Sequence, residues 1–143
     1  MKKTGLSLLF WLTTFAAIII MFMSAGWLLI TVGLALIPVI ILHIVAGTRA
    51  INRSTFLGKW ILFSSLTFLT FAFARPDFDD VHEYSGLSTL MNYFDSKSPK
   101  YVDTTNYYFI PAILLILATV AIDIFIVVKS RRPPPVPDNK DFV

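Results

Sequence analysis

One carboxylate and one imidazole stand inside otherwise uncharged apolar stretches of this 143-residue chain: Asp123 and His43. Such groups can pass a proton, hold a cation, or hold each other. Their spacing from the nearest basic residues is the same. His43 lies six residues before Arg49, Asp123 six before Lys129, and Ser65 six after Lys59. At about 1.5 Å rise per helical residue, all three sit roughly 9 Å from a common basic boundary. Thr119 and Ala112 precede Asp123 by four and eleven residues, so they share its helix face. That face should turn inward, because a lipid-facing carboxylate is expensive. His43, Ser65, Thr119 and Asp123 are therefore expected to form an intramembrane polar layer. The chemistry it offers is a proton or cation relay, or a solute site. The structural alternative is a His43–Asp123 hydrogen bond that holds two helices in register, or pairing of Asp123 with Lys129 or Arg131 near the interface. Ser64 and Ser65 at a similar level suggest a hydrolase, but a Ser-His-Asp set is defined by geometry, and shared depth is not geometry.

The elements that must place these residues are apolar helices. Leu6–Gly47 contains no Lys, Arg, Asp or Glu. It is about twice the roughly 20 residues that one crossing needs, so it reads as two spans turning at Ser24-Ala25-Gly26. The spans are expected over 6–23, 27–47, 59–74 and 107–128, within a transmembrane domain covering 1–129. The basic start Met1–Gly5 raises a cleavable leader. The apolar segment after it is longer than the 7–15 residues of a leader core, and Met23 stands where a small residue is wanted. A retained first span is the expectation. Trp27 sits as an interfacial aromatic, and Pro38 should kink the second span. Thr48–Gly58 reads as a short polar loop. The third span is short and needs help from its neighbours. Tyr107 and Tyr108 form an interfacial belt for the fourth, and Pro111 falls in its first turn.

Residues 75–106 form the one long polar segment. Its acidic start holds Asp77, Asp79, Asp80, His82 and Glu83. The spacing fits no calcium loop and no zinc motif, so a solvated start to a short helix is expected, with Asp77 near that helix's N-terminus, and no metal. Leu87, Leu90, Met91 and Phe94 follow at i, i+3, i+4 and i+7 and make one apolar face. That helix is expected to lie on the membrane surface or cap the bundle, with these four residues meeting a partner. Residues 130–143 read as a disordered, Pro-rich tail. Arg131, Pro134 and Pro137 make a P-x-x-P with a basic residue before it, for which a stiff spacer is the simpler account.

Charge sets the threading. With both termini on the cytoplasmic side, the inner segments hold Lys2, Lys3, Arg49, Arg53, Lys59, Lys129, Arg131, Arg132 and Lys140, nine of the twelve basic residues. The outer loop then carries six carboxylates against Arg75, Lys97 and Lys100. The fold class expected is an all-α integral membrane protein: a four-transmembrane-helix bundle with a short extracytoplasmic amphipathic helix, in the plasma (inner) membrane. Charged residues make up 15% of the chain, against about 25% in soluble domains. Cysteine is absent, which excludes disulfides, thiolate metal sites and a Cys nucleophile. No basic stripe interleaved with aromatics points to nucleic acid. The expected function is that of a non-enzymatic accessory subunit, or an interaction or inhibitor protein of a membrane system. It would sit in the lipid bilayer with a membrane-protein partner or as a homo-oligomer, without a cofactor. The competing reading is a small oligomeric proton- or ion-coupled transporter using the His43/Asp123 pair.

Overall fold

The computed structural model describes residues 3–53, 55–103 and 108–131. Tyr107, the tail from 132 and its P-x-x-P lie outside the described residues. Seven elements follow in order: α1 (Lys3–Met23), α2 (Trp27–Arg53), α3 (Thr55–Ala74), β1 (Pro76–Phe78), β2 (Glu83–Ser85), α4 (Gly86–Phe94) and α5 (Phe109–Arg131). The chain is mostly helical, and α1, α2, α3 and α5 are each long and apolar enough to cross a membrane. Apolar side chains with no water to compete for the backbone leave the helix as the way to satisfy every N–H and C=O.

Two expectations about boundaries change. The stretch 48–58, read as a loop, is almost wholly helical: α2 runs to Arg53 and α3 begins at Thr55. Arg49, Ala50 and Arg53 are good helix formers, and Ala46 and Ala50 are buried in the core, so α2 continues past its apolar stretch. The same overrun lengthens α3 to 20 residues. The segment RPDFDDVHE, read as the start of a short helix, instead makes an antiparallel ribbon. Pro76 pairs with Ser85, Asp77 with Tyr84 and Phe78 with Glu83. Asp79 closes the turn, its carboxylate accepting from the amides of Val81 (3.0 Å) and His82 (2.8 Å). This side-chain-to-backbone bonding competes with helix formation and wins here. The helix starts only at Gly86, where Ser85 caps it and Ser88 completes a reciprocal capping pair.

α3 is the central helix: half of its apolar stretch is enclosed, whereas that of α2 is almost wholly uncovered. It packs on α5, α1 and α2. Burial along α2 is confined to His43, Ala46, Gly47 and Ala50, so α2 joins the bundle through its second half. Pro38 lies inside the helix, which continues on both sides of it. The apolar core is in two parts. One, at the end carrying Arg49, Lys59 and Lys129, contains Leu6, Phe10, Ala46, Ala50, Leu57, Ile61 and Ile126. The other, under the ribbon and α4, contains Ala17, Ile20, Met21, Phe68, Phe71, Ala72 and Ala112. On each long helix, polar residues fall between the two.

Candidate functional site

Between the two apolar clusters, the polar side chains bond to one another across helices. His43 Nδ1 on α2 lies 2.8 Å from Asp123 Oδ2 on α5, and both side chains are fully buried. Ser64 on α3 donates to the other carboxylate oxygen, Asp123 Oδ1, at 2.6 Å. One turn along, Thr67 Oγ1 and Thr119 Oγ1 are 2.9 Å apart, joining α3 to α5 a second time. The imidazole sits between the rings of Phe10 and Phe68, with centroids 5.3 Å and 4.9 Å away. Its other nitrogen, Nε2, is buried and has no hydrogen-bond partner among the described residues.

The structure thus brings His43 and Asp123 together, and places Thr119 one turn from them. Ser65 is in the layer but not on the carboxylate. It is buried, but its hydroxyl donates to the Ile61 carbonyl of its own helix at 2.8 Å, and Ser64 reaches the carboxylate instead. One residue is about 100° around a helix, so matched depth left the direction of the hydroxyl open. The signal that could have found Ser64 is the i, i+3, i+4 face Ser64–Thr67–Phe68, which is buried throughout. Thr14 on α1 was also missed: it is enclosed in the same layer, between Phe10 and Ala17.

The arrangement is not that of a nucleophilic hydrolase. A serine is activated when the imidazole takes its proton on the nitrogen remote from the carboxylate. Ser64 instead gives its hydrogen to Asp123, on the same side of the ring as the carboxylate. Asp123 also has His43 and Ser64 as its partners rather than Lys129 or Arg131.

A second polar centre lies where the ribbon meets the α1–α2 turn. Asp77 is buried and accepts from the amides of Gly26 (3.0 Å), Leu28 (2.9 Å) and Leu29 (3.3 Å). It caps α2, a helix about fifty residues upstream, rather than the short helix that follows it. Its negative charge answers the positive end of the α2 dipole. Arg75 pairs with Asp77 and donates to the carbonyls of Ser24 (2.7 Å) and Met21 (3.3 Å), so it closes the C-terminal end of α1. Trp27 Nε1 donates to Asp80 at 2.7 Å, and the Tyr84 hydroxyl to the Ala25 carbonyl at 3.3 Å. Gly26 is required by this approach, since a Cβ there would stand 2.5 Å from the Phe78 carbonyl oxygen. The amides of Val81 and His82 hold the Asp79 carboxyl below its ordinary range. Burial, then the charges of Asp77 and Asp79, push the Tyr84 phenol up. Among the described residues no group of three or more His, Asp or Glu is placed to hold a metal ion.

On α4 the predicted face is open. Leu87, Met91 and Phe94 are 42%, 52% and 79% exposed, and Leu90 is half-buried. The helix is held through Gly86 and Ser88, which are buried. Fold and polar centres together define a helical membrane protein whose ionisable groups inside the bundle are spent on one another. No protein-family model matches the chain, and no curated protein or solved structure matches it either.

Proposed function

We propose that this protein is a non-enzymatic accessory or interaction protein of a membrane system, binding its partner through α4. The observation that carries the reading is the contrast between the two polar or amphipathic features. His43, Ser64 and Asp123 are enclosed and mutually bonded, whereas the Leu87–Met91–Phe94 face is built, capped, anchored on α3 and left uncovered. An apolar face rimmed by polar groups is where a protein partner or a membrane surface engages. With the basic end cytoplasmic by the positive-inside rule, α4 and the ribbon stand on the extracytoplasmic side of the plasma membrane, and the partner is a membrane protein or a second copy of this chain.

Transport through the His43–Asp123 layer is the second reading. It is favoured by the buried His43–Asp123 contact itself, and it requires an opening to each side that reaches those residues.

The test is site-specific photocrosslinking in native membranes. A photoreactive residue at position 91 or 94 should give one dominant adduct, and the same residue at Phe63, on an exposed face of α3, should give none of that size. Mass spectrometry of the adduct then separates a distinct partner from a homo-oligomer. Adducts to lipid alone at 91 and 94 would overturn the reading and leave α4 as a surface anchor.

A further inference from the structure

The first half of α2 contributes no buried residue to the bundle. It stands off α3 and α5 and leaves a groove of about 280 Å³ between the three helices. At one end the groove is lined by Leu28 at the start of α2, Arg75 and Pro76 just after α3, and Phe109 at the start of α5. At the other it is lined by Leu36 and Ile116. Eight helical residues separate Leu28 from Leu36, roughly 12 Å, so the groove stays within one leaflet of a hydrocarbon core about 30 Å thick. Ala112, in the wall between the ends, has a side chain small enough to leave that room.

Every lining residue except Arg75 carries an apolar side chain. Arg75 is 3% exposed. Its Nη1 pairs with Asp77 and its Nη2 donates to the Ser24 and Met21 carbonyls, but its Nε has no hydrogen-bond partner among the described residues. An enclosed N–H without an acceptor carries its full desolvation penalty. Asp77 already balances the charge of the guanidinium, so the acceptor that Nε lacks is a neutral one. A further carboxylate or phosphate beside the pair would bring an unmatched charge between apolar walls. Trp27 and Tyr108 stand one residue before Leu28 and Phe109, and interfacial aromatics mark the headgroup level. The groove therefore begins just below the headgroups, where glycerol esters lie, and runs inward.

We propose that this groove binds one acyl chain of a glycerophospholipid from the leaflet on the ribbon's side, with the chain's ester carbonyl accepting from Arg75 Nε. The chain enters sideways between α2 and α5, where Val32 and Ile113 are exposed, and lies past Ala112 toward Leu36 and Ile116. Once seated, it ties the first half of α2 to α3 and α5 by apolar contact. A headgroup charge is not needed, because the Arg75–Asp77 pair is already neutral. The groove of about 430 Å³ between α1 and α2 differs in kind: no polar side chain lines it, so nothing there fixes an ester. The lipid site is independent of the α4 surface and stands or falls without it.

The experiment uses the full chain in phosphatidylcholine vesicles that contain a trace of phosphatidylcholine with a photoreactive group near the end of one ester-linked chain. After irradiation, peptide mapping should find adducts at Leu36 and Ile116 several times more often than at Leu34 and Leu117, which sit within two residues of them and are exposed. Ala112→Phe, which fills the groove, should bring the adducts at Leu36 and Ile116 down to the level of the exposed positions. Val32→Trp should do the same from the exposed side of α2, and remains readable if Ala112→Phe does not fold. Gly33→Leu narrows the α1–α2 groove instead and should leave those adducts unchanged; a Cβ there meets only Leu29, at 3.7 Å. A probe with an ether-linked chain lacks the carbonyl and should label about fivefold less. A fatty acid with the same photoreactive group should also label less, because its carboxylate adds a charge. Equal labelling of lining and exposed positions, or adducts that neither groove-filling variant lowers, would overturn the site. Ester and ether probes that label alike, or a fatty acid that labels more strongly, would overturn the pairing of an ester with Arg75.

Discussion

At the scale of single residues, the layer separates two neighbouring serines by where their hydroxyls go. Ser64 holds one oxygen of a buried carboxylate, and Ser65 returns its hydrogen to its own helix. Ser64→Ala should therefore cost about 1–3 kcal/mol, since it strips a partner from a buried charge. Ser65→Ala should stay within about 0.5 kcal/mol. Unfolding in mixed detergent micelles measures both, and equal costs would contradict the assignment. Asp79 gives a residue-scale pH effect. Its carboxyl is held below the usual value of 3.8 by the turn amides. Its folded-state pKa is lowered, so its contribution is complete above that value and is lost as pH falls through the lowered one. Protection of the Val81 and His82 amides, taken relative to the intrinsic exchange rate at each pH, should be lost only below about pH 4 and hold steady between neutral pH and that point.

At the scale of elements, ends are held by groups distant in sequence. The N-terminus of α2 is capped by Asp77 and the C-terminus of α1 by Arg75, two residues apart on the far side of α3. The opposite charges match the two dipole ends they meet. α4 is fixed by a backbone approach: a Cβ on Gly86 would lie 2.1 Å from the Ala72 carbonyl oxygen, which is part of α3 and cannot swing aside. Gly86→Ala should cost about 1–3 kcal/mol through this overlap and should loosen α4 first. Hydrogen exchange over residues 86–94 should rise while exchange over α3 and α5 is unchanged. A uniform rise across the chain would show that α4 is integral to the bundle instead of docked on it.

At the scale of the whole molecule, the proposed orientation rests on charge placement. Nine of the twelve basic residues fall in segments assigned to one side. The absence of cysteine makes this directly testable with single-cysteine variants. A membrane-impermeant maleimide should label Ser96→Cys on intact cells, and Asn52→Cys only after the membrane is opened. Both positions are exposed in the fold. The reverse labelling would place α4 and its apolar face inside, and would relocate the proposed partner with it.

The sequence by itself determined the four apolar helices, their order, the turn at residues 24–26 and the common depth of His43 and Asp123. Those features rest on local quantities: runs of uncharged residues, helical rise, and the cost of a carboxylate in lipid. The tertiary structure decided what depended on direction around a helix and on distant partners. It put Ser64 rather than Ser65 on Asp123, because one residue turns a side chain by about 100°. It made Asp77 the cap of α2 and Arg75 the closure of α1, because unsatisfied helix ends take whichever charge the fold brings to them. It also turned an acidic run into a β ribbon, because Asp79 bonds its own turn more readily than it extends a helix.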